Sequence, residues 1–196
     1  MARSSSHDVR DRLLEAGVQT FSKSGFNGCS VQDITDAAGV PKGSFYNHFE
    51  SKEALAAAAL EHYWVSGTCD QLGILTCASL SPRQRLRRYF EVATSDIAKI
   101  NFTCGCLVGN MAAELSDHSP VIAAKLSDIF RGWSRQVGAC IRDAQAAGEI
   151  ESTADPDQLG IFVLNAWEGA VLRARIEKTE RPLRQFVETL FTSLLH

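Results

Sequence analysis

Apolar residues in this chain return every three or four positions and almost nowhere every second one. That spacing puts them on one face of a helix, not of a strand. Val31, Ile34, Ala37 and Ala38 make one such stripe. Near the C-terminus Phe186, Leu190 and Leu194 make another, with Leu183, Val187 and Phe191 beside it. The pattern predicts nine helices, over about 8–24, 31–38, 41–48, 52–75, 82–100, 106–116, 120–147, 156–178 and 182–195. All five prolines stand where a helix could begin, a position that needs no N–H partner. Pro82, Pro120 and Pro156 follow the capping residues Ser81, Ser119 and Asp155. No alternating run bounded by a hairpin turn is present, so the expected fold class is all-α. Residues 1–50 and 51–196 are expected to form two domains, with no Gly/Pro/Ser linker at the junction.

Composition narrows the class. The 196 residues are 45% hydrophobic and 22% charged, which excludes a disordered chain. The longest apolar run, Ala54 to Leu60, stops at Glu61, far short of the ~20 residues that a bilayer requires. The N-terminus shows no apolar stretch typical of a signal peptide, so a cytoplasmic location is expected. The six cysteines are then expected to be reduced thiols, and no CxxC pair suggests a metal site. No metal or cofactor is expected. The net charge of -3 argues against a broad basic footprint for nucleic acid. Residues 1–50 carry five basic and six acidic groups, so any DNA contact must come from a local arrangement.

One segment supplies such an arrangement. Ser30 and Asp33 are spaced as a capping box in front of the Val31–Ala38 stripe. Gly39 follows as a left-handed turn residue, and Pro41 restarts a helix at once. Two short helices joined by a tight glycine turn make a helix-turn-helix. In the second, Phe45 and Phe49 lie four apart and should face inward. Lys42, Gly43, Ser44, Tyr46, Asn47 and His48 are left on the other sides. That small, polar, hydrogen-bonding surface suits a major groove about 12 Å wide. A helix-turn-helix used only for packing is the competing reading.

Residues 8–55 resemble the N-terminal domain of the TetR family of bacterial transcriptional regulators. The likeness is carried by Val31-Gln-Asp-Ile, Ala37-Ala-Gly-Val, Lys42-Gly-Ser-Phe-Tyr, His48-Phe, Ser51-Lys-Glu-Ala-Leu55 and Gly25-Phe26. It implies a nine-helix fold with an N-terminal DNA-binding domain and a C-terminal effector-binding and dimerisation domain. It further implies a repressor that a small-molecule effector releases from operator DNA. Lys42, Gly43, Ser44 and Asn47 would then face base edges or adjacent phosphates, and Tyr46 and His48 would reach phosphates. Lys52 would add a phosphate contact at a helix start, as would Ser30 or Gln32, and Arg3 would belong to an N-terminal arm. Members of this family are homodimers on near-palindromic sites, paired through their last two helices. Here those helices offer Phe162, Ala166, Ala170, Phe186, Leu190 and Leu194 to a partner, with Gly160 and Gly169 permitting close approach. Burial in an ordinary monomer core is the alternative for these positions.

The effector region is less marked. Cys104 and Cys106 flank Gly105 at a predicted helix start, where a thiol pKa is lowered. The run Gly105-Cys-Leu-Val-Gly-Asn-Met-Ala-Ala-Glu-Leu115 resembles one in a TetR branch that includes sensors of electrophiles and small unsaturated acids. Cys104, Cys106, Asn110 and Trp133 are therefore the candidate effector or sensor residues. Three readings stand for them: a non-covalent pocket, a thiol sensor centred on Cys106 with Cys104, and metal binding by the two cysteines. Cys29, Cys69, Cys77 and Cys140 are read as structural. An enzyme on a helical scaffold is the reading from another class. No nucleophile–base spacing or phosphate loop supports it, and His62 and His118 have no motif partner.

Overall fold

The computed structural model describes residues 6–67 and 69–196, apart from the side chains of 6, 7, 66, 67, 69 and 70. Arg3 lies outside the described residues, as does the side chain of Cys69. Among the described residues every regular element is helical. The elements are α1 (Ser6–Ser24), α2 (Val31–Ala38), α3 (Lys42–Phe45), α4 (Lys52–His62), α5 (Cys69–Leu75), α6 (Pro82–Lys99), α7 (Leu107–Leu115), α8 (Pro120–Ala146), α9 (Pro156–Glu177) and α10 (Arg181–Thr189). Two stretches of wider π turns, Tyr63–Gly67 and Leu190–Leu194, follow α4 and α10.

Among the described residues ten helices stand where nine were expected, because the helix expected over 52–75 is interrupted. The alanine-rich part, ending at Leu60, holds regular helix to His62. Bulky Tyr63 and Trp64, β-branched Val65 and then Gly67 follow, and all are poorer helix formers than alanine. No helix among the described residues is long and apolar enough to cross a membrane.

The chain packs as two compact units. One takes in the residues up to Ser66 together with Cys106–Ser127; the other takes in Gly67–Gly105 and Asp128–His196. In the first, α1 packs on α2 and on α4. Leu13, Phe21, Ile34, Phe45, Leu55 and Leu60 are fully buried. Gly17 admits Leu55 so closely that an added Cβ would lie 3.2 Å from it. The capping box forms as expected: Ser30 Oγ accepts from Asp33 N at 3.2 Å, and Ser30 N donates to Asp33 Oδ2 at 2.7 Å. Gly39 adopts φ 63°, and its neighbour Val40 N closes the turn on Thr35 O at 3.0 Å. Arg12 reaches across from α1 and donates to the carbonyls of Ala38 and Gly39. The end of α2 is therefore satisfied both by its own glycine turn and by a cation on the neighbouring helix.

The second unit is built on aromatic contacts. Phe90 of α6, Trp167 of α9 and Phe186 of α10 meet with ring centroids 5.0 to 5.3 Å apart. Helices α8 and α9 approach through two glycines. A Cβ on Gly160 would fall 2.5 Å from Ser134 O, and one on Gly138 would fall 2.8 Å from Pro156 O. Gly160 thus serves an approach within the chain, while a Cβ on Gly169 would meet nothing within 4 Å. The expected caps of α6 and α9 are present: Ser81 Oγ accepts from Gln84 N, and Asp155 accepts from Asp157 N and Gln158 N.

Candidate nucleic-acid interface

Helix α3 is shorter than the expected 41–48. Regular helix covers Lys42–Phe45, and tighter turns continue it: Asn47 N bonds Ser44 O at 3.3 Å, and His48 N bonds Phe45 O at 3.0 Å. Phe45 is fully buried and Phe49 nearly so, with their rings 5.9 Å apart. Anchoring these two rings turns the intervening residues outward. Lys42, Gly43, Tyr46 and Asn47 are exposed, and Ser44 and His48 are half-buried. Tyr46 leans edge-on against Phe45 at 5.2 Å yet remains 58% exposed, so its hydroxyl is held out on a fixed stem. Gly43 has no atom within 4 Å of a hypothetical Cβ. Packing inside the protein therefore does not require glycine there.

Helix α2 flanks this face with less to offer. Ser30 Oγ is engaged with Asp33, and Gln32 Nε2 donates to Asp36 Oδ1 at 2.7 Å. The two hydrogen bonds from Ser30 hold the Asp33 carboxyl below its ordinary range, so it stays ionised. Lys52 is turned inward. Its ammonium donates to Phe26 O and Cys29 O, each at 2.8 Å, and lies 4.2 Å over the Phe26 ring. Arg10 of α1 was not singled out from the sequence. Its exposed guanidinium lies 5.4 Å over the ring of Phe49 and adds a cation beside the end of this face. No sequence signal marks it, since the pairing spans 39 positions of chain.

The four effector candidates divide between the units. Cys106 occupies the N-cap position of α7, and Asn110, one turn on, donates to Ser22 O at 3.4 Å; both lie in the first unit. Cys104 and Trp133 lie in the second. Cys104 is half-buried, and Trp133 is buried with its Nε1 donating to Tyr89 Oη at 2.7 Å. The five cysteines with described side chains are free thiols. Burial pushes Cys29 up and Cys140 up to about 12, as expected of structural thiols. Cys77 differs: a hydrogen bond with Ser79 Oγ at 3.1 Å lowers its pKa. Among the described residues no group of three His, Cys, Asp or Glu could hold a metal.

The six residues offered for pairing share one feature. All line a groove of about 470 Å3 between α9 and α10. Phe162 is 58% exposed there, Ala166, Phe186 and Leu194 are half-buried, and Ala170 and Leu190 form the floor.

Two family models match the chain. One, described as bacterial regulatory proteins of the tetR family, covers residues 13–59, which hold α2, α3 and most of α4. The other, a tetracyclin repressor-like C-terminal domain, covers residues 82–190. The chain belongs to the TetR family. It is 41% identical to the HTH-type transcriptional repressor DhaR of Mycobacterium sp. (strain GP1), over 95% of this chain and 92% of that one. It is 36% identical to the transcriptional regulator AcuR of Cereibacter sphaeroides, over 90% and 81% of the two chains. A solved structure of a TetR regulatory protein from Rhodobacter sphaeroides superposes with a TM-score of 0.87 at 35% identity, covering 91% of this chain and 95% of that one. This TetR-family chain is a DNA-binding transcription regulator, and the enzyme alternative is dropped.

Proposed function

We propose that the protein is a homodimeric cytoplasmic repressor that reads operator DNA with the α3 face and leaves it when a small molecule binds. The observation that carries this is the anchoring of α3 by Phe45 and Phe49, which presents Lys42, Gly43, Ser44, Tyr46, Asn47 and His48 together. Lys42 and Tyr46 are assigned to phosphates and Asn47 to a base edge. Gly43 and Ser44 permit close approach, and His48 borders the backbone. Ser30 and Gln32 serve at the flank, where bonds to Asp33 and Asp36 fix their side chains. Lys52 supports the interface from behind, since its ammonium holds two carbonyls of the chain. A net charge of -3 means that little affinity comes from long-range attraction, so specific contacts must supply it.

One reading face covers one half-site, and a second copy docked on the α9–α10 groove supplies the other. The effector is a non-covalent ligand, and Cys104, Cys106, Asn110 and Trp133 are each taken singly as candidate contacts. It acts by binding better to the state whose two reading faces are misplaced for the operator.

The test is a salt-controlled binding assay on the DNA flanking the protein's own gene. Specific binding should be retained by the wild type and weakened on the order of tenfold by Tyr46→Ala, with unchanged thermal stability. Equal affinity of the two proteins for that DNA would remove α3 as the reading element.

A further inference from the structure

The loop between α1 and α2 is held from both sides by opposite charges. Phe26 N and Asn27 N point at one carboxylate, donating to Glu114 Oε1 at 3.1 Å and Glu114 Oε2 at 2.7 Å. The carbonyls of Phe26 and Cys29, on the same six-residue loop, point at Lys52 Nζ. Glu114 belongs to α7, some 88 positions along the chain, and no feature of the helix-turn-helix itself calls for it. Its carboxylate sits where a side chain would otherwise be: a Cβ on Gly25 would lie 2.1 Å from Glu114 Oε1. Gly25 also adopts φ +77°, so the chain turns there and clears the space in one residue. One turn earlier on the same face of α7, Asn110 Nδ2 donates to the carbonyl of Ser22 in the last turn of α1. Helix α7 therefore grips the end of α1 and the loop that leads into α2 with two side chains four residues apart.

We infer that Glu114 is a positioning residue for DNA recognition: its carboxylate sets the orientation of α2 and α3 by fixing the loop that precedes them. This rests on the proposed α3 reading face. Two adjacent amides converging on a carboxylate form charge-assisted bonds, which are shorter, stronger and more directional than neutral ones. The loop thus has one orientation relative to α7, and α2 begins four residues after Asn27, at Val31. Specific binding requires both reading faces of a dimer to enter their half-sites in register. Non-specific binding rests on phosphate charge and needs no such register. Loosening the loop should lower the first and spare the second.

The experiment uses the full chain and two duplexes: one enriched from random-sequence DNA by the wild-type protein, and poly(dI-dC). Glu114→Gln keeps the shape and one acceptor oxygen but loses the charge, and Glu114→Ala removes both. For Glu114→Ala, affinity for the enriched duplex should fall on the order of tenfold, with the poly(dI-dC) affinity unchanged. Glu114→Gln should fall between this variant and the wild type. Hydrogen exchange at the Phe26 and Asn27 amides should accelerate in the same order, while exchange within α4 stays as in the wild type. A specificity ratio unchanged in both variants overturns the inference. Parallel loss of both affinities with a lowered melting temperature also overturns it, since that is a merely structural role. Tyr46→Ala is run alongside: if it too binds the enriched duplex like the wild type, the α3 reading fails instead.

Discussion

Two faces among the described residues, that of α3 and that of α9 and α10, are opposite in chemistry. On α3 the apolar residues Phe45 and Phe49 are inside, and what remains outside is polar, small and hydrogen-bonding. On α9 and α10 the interior is also filled, by Trp167, Val171, Leu183 and Phe191, yet apolar surface remains. Phe162 is more than half exposed, and the groove beside it is floored by Ala170 and Leu190. A polar face loses little by standing in water and gains by meeting hydrogen-bonding edges. An apolar face of this size is favourable only when covered. On the proposed function the two partners differ in kind: nucleic acid for the first, a second copy of the chain for the second.

The largest expected effect falls on the polar face. Phe45→Ala would empty a fully buried site and should cost about 3–5 kcal/mol of stability, read from urea unfolding. A loss well below that would mean that Phe45 does not anchor the face, and the outward set would have no reason to be where it is.

Next in size is the effect on the apolar face. Phe162→Glu places a charge on each side of the proposed pairing surface, where burial of a phenyl group is worth about 1.5–3 kcal/mol. The dimer should dissociate at least about 100-fold more readily in sedimentation, with the helical content of the monomer retained. A dimer of wild-type strength would show that the groove is covered by something else, or by nothing.

How much of this was legible from the chain depends on the range of each interaction. The capping box of Ser30 and Asp33, the Gly39 turn and the inward pair Phe45 and Phe49 all act within a few residues. Periodicity and spacing therefore reveal them. The break after His62 was not visible, because Tyr63, Trp64 and Val65 follow Glu61 and His62 without a proline or a turn residue. Lys52 looked like a phosphate ligand because its acceptors, Phe26 O and Cys29 O, lie 26 and 23 positions back. The same limit hid Glu114, whose spacing from Asn110 reads as an ordinary helix face. It also hid the choice between two glycines: Gly160 meets α8, while Gly169 meets nothing. Local chemistry is written in local sequence, whereas carbonyl and amide partners across the fold are set by packing.

The smallest effect is the most discriminating, because stability and function should move in opposite directions. Gly43 is an exposed residue of α3, does not need positive φ, and has no neighbour within 4 Å of a Cβ. Alanine there removes backbone freedom from the unfolded chain and meets no clash, so Gly43→Ala should stabilise the protein by about 0.5–1 kcal/mol. If Gly43 is present so that a DNA backbone or base can approach closely, the same methyl group must stand in the way. Affinity for operator DNA should then fall severalfold while the melting temperature rises. A variant both more stable and equal in DNA affinity would show that this side of α3 faces solvent even in the complex. The reading surface would then be narrowed to Lys42, Tyr46 and Asn47.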